Sequence, residues 1–451
     1  MSTHTAVGIE DADELFASLA RFSNIVVAVS GGPDSLALMI LLAEWRARLG
    51  SAAPALSVAT VDHGLRAASA SEADYVSQYA ASLGLSHRTL VWRGDKPAIG
   101  IPQAARTARY RLLAAHAATL SGTEPPDPAL RGPGLTAIAT AHTRDDQAET
   151  LVMRLARGAG VDGLAAMPAE RPVDDRSAIT LVRPLLGISK SRLVATLHER
   201  GVAFLEDPTN TDRAFERVRV RELLQALEAS GVSAQALATS ARRMGEALTA
   251  LDYAAQQFET ALALSLNDDI FCQFDRAAFE RGPVALRQRV LKRLLDRFGG
   301  ASKPARLSEI EDLANRLARV PQMRAALGGA VVSAGTKFVR IWREHGRIGA
   351  PHLTLAPGSG ALWDRRFWVA VSANAPGAVD VRPLGAAGAL AIMREKRALN
   401  TPARAIAALP AFWAAGTLLA VPSLNGLSYQ LDCFETAVFS AVPVTPAGTG
   451  Y

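Results

Sequence analysis

The chain is 451 residues long, about three times the roughly 150-residue prior for a single domain, so two or three domains are expected, each able to bury its own core. Hydrophobic residues make up 49% and charged residues 20%, which excludes wholesale disorder and collagen-like composition. Cys272 and Cys433 form no Cys-x-x-Cys pair, which leaves no disulfide framework or cysteine zinc site and fits a reducing cytoplasm; the net charge of +6 fits a polyanionic partner.

Taken in chain order, Glu10, Asp11, Asp13 and Glu14 precede any apolar run, the wrong order for a signal peptide. From Asn24 onward, strand-like runs at 25–29, 56–61, 87–92 and 135–140 are separated by helical segments of crossover length, a rhythm that predicts a parallel sheet. The first crossover helix places Leu38, Leu41, Leu42, Trp45 and Leu49 on one stripe and stops at Gly50. Ser69-x-x-Glu72 has capping-box spacing and announces the second helix. The Pro- and Gly-rich stretch 121–134 reads as a surface insertion.

After Asn210 helical patterns dominate, among them a stripe of Val290, Leu291, Leu294 and Phe298 beside Arg287, Arg289, Lys292 and Arg293. From about Gly328 short β-type runs at 338–342, 367–371 and 417–421 are punctuated by Gly and Pro. The uncharged stretch 405–422 is long enough to suggest a membrane span, yet Pro410, Gly416 and Pro422 interrupt it, and it reads as buried strands and turns. The expected fold is α/β: an extension over 1–22, a parallel-sheet domain over 23–217, a helical middle domain over 218–327 and a small α+β domain over 328–451.

Ser30-Gly31-Gly32-Pro33-Asp34-Ser35 stands where the first strand ends and a helix begins. Such a turn offers unpaired backbone N–H groups and a positive helix end to phosphate, and its glycines let the anion approach the backbone. The Gly-Lys-Ser/Thr ending of a Walker loop is missing. Asp34 would repel phosphate unless a cation intervened, so the turn implies Mg²⁺. Taken alone, the same six residues also fit an ordinary strand-to-helix turn.

Asp62-His63-Gly64-Leu65-Arg66 ends the second strand, and a run from Ala141 through His142, Asp145, Asp146 and Glu149 to Thr150 ends the fourth. Ligands of open parallel sheets bind beyond the carboxyl ends of the strands, so the three clusters are expected to share one crevice. The spacing of Asp145, Asp146 and Glu149 puts them on one helical face, separate from the apolar stripe Ala148, Leu151, Val152 and Leu155 and expected to point away from packing. Complementing the helix dipole, worth about 0.3–1 kcal/mol each, is account enough for Asp145. For Asp146 and Glu149 a functional role is favoured. Arg106, Arg109 and Tyr110 share another helical face suited to phosphate or a nucleotide, although only six of the 49 basic residues are lysines and a solvated arginine face is the bland alternative.

Together, Ser-Gly-Gly-x-Asp-Ser, Val-Asp-His-Gly-Leu-Arg, the Ala-Arg-x-x-Arg-Tyr helix and Ala-His-x-x-Asp-Asp-x-x-Glu-Thr resemble the PP-loop ATP-pyrophosphatases. Arg154-Leu-Ala-Arg157-Gly158, Arg183-Pro184-Leu185-Leu186 and Glu206-Asp207-Pro208-Thr209-Asn210 narrow the resemblance to the tRNA(Ile)-lysidine synthetase family over residues 22–225. The second half is similar more weakly, through its helical middle and Val381-Arg382-Pro383-Leu384-Gly385.

The resemblance implies ATP-dependent ligation of L-lysine to C2 of the wobble cytidine in the CAU anticodon of an isoleucine tRNA, through an adenylylated cytidine. It implies that Ser30, Gly31, Gly32, Pro33, Asp34 and Ser35, with Asp62 and His63, bind ATP; that Asp34 and Asp146 hold Mg²⁺; and that His142, Glu149, Arg106 and Arg109 serve catalysis. Asp207 and Asn210 are the implied lysine-binding residues, joined by Arg217 and Arg219. Where the family reads Arg-Asn-x-x-Arg, this chain has Arg217-Val218-Arg219-Val220-Arg221, leaving open which arginine acts. A homodimer is expected only on the general prevalence of twofold assemblies. Rival readings are a tRNA thiolase, which calls for reactive cysteines in the first domain, and a noncatalytic RNA-binding protein on the same scaffold.

Overall fold

A computed structural model describes residues 5–64, 69–94, 96–97, 100–120, 135–173, 179–205, 216–301, 303–346, 352–395, 401–424 and 438–444. The insertion 121–134, the lysine-binding candidates Asp207 and Asn210, and Cys433 lie outside these residues. The chain divides into two compact units, the first running through Leu248 and the second starting at Thr249.

The first unit contains α1 (Ile9–Phe16), β1 (Asn24–Ala28), α2 (Pro33–Leu49), β2 (Ala55–Asp62), α3 (Ser69–Ser82), β3 (Ser86–Val91), α4 (Ile101–Leu120) and β4 (Thr136–Ala139). There follow α5 (Arg144–Leu155), α6 (Val161–Leu164), β5 (Glu170–Pro172), β6 (Thr180–Val182), α7 (Lys190–Glu199), α8 (Glu216–Ala229) and most of α9 (Ala234–Ala261). The strands form one sheet in the order β3-β2-β1-β4-β6-β5, parallel except for the β5–β6 pair. All four expected strands are present within a residue or two.

β1 is apolar on both faces because helices cover both. Ile25 and Val27 enter a core with α2 and α7, while Val26 enters another with Leu113 and Ala117 of α4, following the period-2 alternation of a strand. Burial of α2 is wider than the single stripe expected: every residue from Ser35 to Leu42 is buried, whereas Leu49 is exposed. The covered side chains lie between the sheet and two helix layers, and each large aliphatic contributes about 1.5–3 kcal/mol. Gly50, at φ +62°, ends the helix as expected and donates its N–H to the Arg46 carbonyl.

The second unit contains β7 (Phe271–Asp275), α10 (Arg276–Arg281), α11 (Val284–Gly299), α12 (Leu307–Arg319), β8 (Met323–Leu327), β9 (Ala330–Ala334) and β10 (Phe338–Arg343). Beyond these lie β11 (Leu353–Leu355), β12 (Gly360–Trp363), β13 (Phe367–Val371), β14 (Val379–Pro383), α13 (Gly385–Glu395), α14 (Ala403–Ile406), β15 (Pro410–Ala414), β16 (Thr417–Ala420) and β17 (Phe439–Pro443). They form three antiparallel sheets, β7-β10-β9-β8, β11-β14-β15-β16 and β12-β13-β17. The sequence reading did not single out β7, which lies in an otherwise helical stretch and pairs with β10 more than 60 residues later.

The stripe Val290, Leu291, Leu294 and Phe298 is buried against Phe274, Val332 and Ile341. Of its basic neighbours, Arg289 is matched with Asp252, Arg293 with Glu259, Lys292 with Asp296 and Arg297 with Asp269, while Arg287 lies over the Phe279 ring. Cys272 is completely buried, which pushes its thiol pKa up and removes it as a reactive group. The stretch 405–422 begins at the end of α14 and then forms the β15–β16 hairpin, turning on Ala415 and Gly416 at φ +46° and +81°. Among the described residues no helix is long and apolar enough to cross a membrane.

One ionic cluster is enclosed in this second unit. Asp364 accepts from Arg343 Nε and Nη2 at 2.7 and 2.8 Å and from Arg366 Nε at 3.0 Å. The guanidinium groups also donate to the Gly329 and Ala408 carbonyls at 2.8 and 2.9 Å, so one buried triad joins four separate segments.

Candidate active site

β1 is the sheet's switch point: its successor β2 lies on one side and β4 on the other. The crevice beyond the carboxyl ends of β1 and β4 is therefore where this topology places a ligand. The turn 30–35 leaves β1 and the segment 140–146 leaves β4 at that position.

The turn is folded on itself. Ser30 N–H donates to Ser35 Oγ at 3.2 Å, and Ser35 Oγ donates to the Gly32 carbonyl at 3.0 Å. Gly31 requires its missing side chain, because its φ is +87° and a Cβ would stand 2.9 Å from Leu205 Cδ1. Leu205 N–H in turn donates to the Gly31 carbonyl at 3.1 Å. Gly32 is the N-cap of α2 and Pro33 its first residue, so the first-turn N–H groups, which have no partners within a helix, face the crevice side of the turn.

Asp146 divides its two oxygens between two tasks. Oδ2 accepts from Thr143 N–H and Oγ–H at 2.8 and 2.7 Å, a capping box that starts α5. Oδ1 lies 3.8 Å from Lys190 Nζ, which is also 3.7 Å from Asp34 Oδ2. Burial pushes Asp34 up to about 6 against the pull of Lys190, with Asp146 and Asp145 adding to the rise. For Asp146 burial acts in the same direction but is outweighed by Lys190, the two Thr143 hydrogen bonds and His142, so its carboxyl stays below the ordinary value. The other oxygen of Asp34, Oδ1, is buried without a hydrogen-bond partner.

Asp145 accepts the Lys190 N–H at 2.9 Å and so ties the start of α7 to α5, in keeping with a structural role. Glu149 departs from expectation. Instead of pointing away from packing it is 1% exposed, with Arg221 Nε 2.5 Å from Oε1 and no partner for Oε2. Arg221 of α8 makes that burial tolerable, a partner 72 positions away that helical periodicity within α5 does not reveal.

His142 Nδ1 is 2.9 Å from Thr140 Oγ1. Burial first, then the positive charges of Arg183, Arg106 and Arg217, push the ring down to about 3 although Asp146 opposes them, so the imidazole is neutral. Arg106 and Arg171 stack on the Tyr110 ring at 5.3 and 5.7 Å. Arg109 Nη2 lies 3.5 Å from His63 Nε2, and burial with Arg109 pushes His63 down as well. Asp62 Oδ1 accepts from Gly64 N–H at 2.7 Å and shapes its own turn.

Arg217 acts through its charge on both His142 and Arg109, whereas Arg219, two positions on in α8, is turned by about 200° to the other side of the helix. Thus the predicted residues after β1 and β4 come together with Arg217 and Arg221. Sequence reasoning missed Lys190. Its available signals were Ser189, a good N-cap directly before it, and the scarcity of lysine in this arginine-rich chain.

A Gly-rich turn and a helix N-terminus at the switch point of a parallel sheet, faced by carboxylates and arginines, define a PP-loop nucleotide site, and a PP-loop domain model matches residues 6–227. The tRNA(Ile)-lysidine synthase of Bradyrhizobium sp. (strain BTAi1) is 44% identical over 75% of this chain and 95% of its own length. That of Rhodopseudomonas palustris is 45% identical over 73% and 93%, and that of Ruegeria pomeroyi 38% over 92% and 93%. The chain belongs to the tRNA(Ile)-lysidine synthase family, whose members are ATP-using PP-loop enzymes.

Proposed function

We propose that this enzyme joins L-lysine to C2 of the wobble cytidine in the CAU anticodon of an isoleucine tRNA, consuming ATP to AMP and pyrophosphate. Supporting the reading most directly is the convergence of the 30–35 turn, Asp34, His142 and Asp146 at one switch point, in a chain of this family. Cytosine O2 is a poor leaving group, so it first attacks the α-phosphorus of ATP and releases pyrophosphate. The lysine ε-amine, after losing its proton, attacks C2, and O2 departs with AMP.

The turn and the N-terminus of α2 bind the phosphate chain. Asp34 Oδ1, buried and unpartnered, and Asp146 Oδ1, outside the capping bonds, are the hard oxygen donors that Mg²⁺ takes, although among the described residues no cluster of three or more His, Cys, Asp or Glu is present. When bound, Mg²⁺ neutralises charge on the phosphate oxygens. Neutral His142 orients the base by hydrogen bonding, and Arg106, Arg109 and Arg217 face the polyanion. Glu149 and Arg221 offer charges complementary to the ammonium and carboxylate of an amino acid, in addition to the sequence candidates Asp207 and Asn210, which lie outside the described residues.

The test is incubation of the purified chain with Mg²⁺-ATP, radiolabelled lysine and transcripts of isoleucine tRNA(CAU) and methionine tRNA, followed by digestion. Labelled lysidine from the isoleucine transcript alone is expected. Unlabelled RNA accompanied by pyrophosphate release would send the site to another acceptor.

A further inference from the structure

Three helices begin at the crevice: α2 at Pro33, α5 at Arg144 and α7 at Lys190. The first two carry Asp34 and Asp146 in their opening turns, where the helix dipole favours a carboxylate. At the start of α7 stands Lys190, a cation that the same dipole disfavours; Arg144 at the start of α5 turns to Gln235, whereas Lys190 is set between the two carboxylates. Local needs of α7 do not explain it, since Ser189 already caps the helix and Asp145 already takes the Lys190 N–H. The ammonium stands 3.7 and 3.8 Å from two carboxylates on two other helices, beyond hydrogen-bond length, and is held there by charge.

We infer that Lys190 is a positioning residue that fills the place between Asp34 and Asp146 until ATP arrives, then yields that place to the divalent cation and turns to the phosphate oxygens. The inference rests on the reading of these two carboxylates as the cation's ligands, and adds that ligation is an exchange. Two carboxylates brought together without a cation repel each other. Lys190 keeps them apposed, and by occupying their field it also weakens their hold on a divalent ion. Nucleotide removes that obstacle by offering the ammonium another anion. Cation and ATP therefore bind with positive coupling, each raising the affinity for the other by the same factor.

The experiment titrates Mn²⁺ into the full-length protein by electron paramagnetic resonance, with and without a non-hydrolysable ATP analogue. Without nucleotide, Lys190→Gln is expected to bind Mn²⁺ about thirtyfold more tightly than wild type, as two ion pairs at the upper end of the exposed range amount to. Lys190→Arg, which keeps the charge, retains weak binding and most of the coupling. In Lys190→Gln the coupling between Mn²⁺ and the analogue falls and KM for ATP rises, a pattern that a merely structural lysine would not produce. Equal nucleotide-free Mn²⁺ affinity in wild type and Lys190→Gln, with Asp146→Asn still abolishing binding in the presence of analogue, overturns the exchange and leaves the carboxylate reading standing. If neither Asp34→Asn nor Asp146→Asn alters Mn²⁺ binding with the analogue present, both fall.

Discussion

Asp364 in the second unit and Glu149 in the first are both buried carboxylates paired with arginine, and they differ in what is left over. Asp364 uses both oxygens on Arg343 and Arg366, whose remaining donors reach backbone carbonyls. Glu149 uses one oxygen on Arg221 and leaves the other unpartnered, as Asp34 does with Oδ1. Buried charge is common to both places. Among the described residues the buried carboxylate oxygens left without a partner are Asp34 Oδ1 and Glu149 Oε2, both in the first unit at the crevice, where a ligand can use them.

The largest effect belongs to the closed cluster. Asp364→Ala strands two buried guanidinium groups and is expected to destabilise the second unit by about 3–5 kcal/mol in urea unfolding. A loss below about 1 kcal/mol would mean that the triad is dispensable and the contrast misdrawn. At the crevice, Asp146→Asn is expected to lower lysidine formation about a hundredfold, near 2.7 kcal/mol of barrier, while the melting temperature moves by only a few degrees.

The third prediction concerns pH. Because the fold raises Asp34 from 3.8 to about 6, it disfavours the ionised form, so wild type loses stability as pH rises from about 4 through 6, on the order of 3 kcal/mol. Asp34→Asn removes that loss. The variant should be the more stable protein in guanidinium at pH 7.5, with the difference vanishing toward pH 4, even though it is expected to lose activity. The smallest effect is the control: Arg242→Ala, which breaks an exposed pair with Glu246, should change stability by at most about 0.5 kcal/mol.

The four parallel strands and the 30–35 turn were legible because both faces of β1 are covered and the strand reads as a continuous apolar run bounded by glycine. Asp146 was legible through its position after β4. What escaped depends on partners remote in sequence. Lys190 acquires meaning, and Arg221 is set apart from Arg217 and Arg219 as the partner of Glu149, only when α7 and α8 return to the crevice, and β7 is defined by β10 rather than by its own five residues. The short β5–β6 pair carries too few residues for periodicity to register. The inward burial of Glu149 contradicts the helical-face argument for the same reason, since a face beside the apolar stripe is solvent only if nothing else packs there.

The crevice is rich in arginine, and this bears on chemical selectivity. The first 248 residues contain just two lysines: Lys96, whose ammonium donates to the Gly64 carbonyl at 2.7 Å, and Lys190, ion-paired between carboxylates. A guanidinium stays charged and delocalised and is a poor nucleophile, while an ammonium engaged by an anion has no lone pair to offer. In a reaction that activates a carbon for attack by the amine of free lysine, the protein's own amines are the natural competitors. On the proposed reaction, Arg106, Arg109, Arg183, Arg217 and Arg221 would provide positive charge without entering that competition.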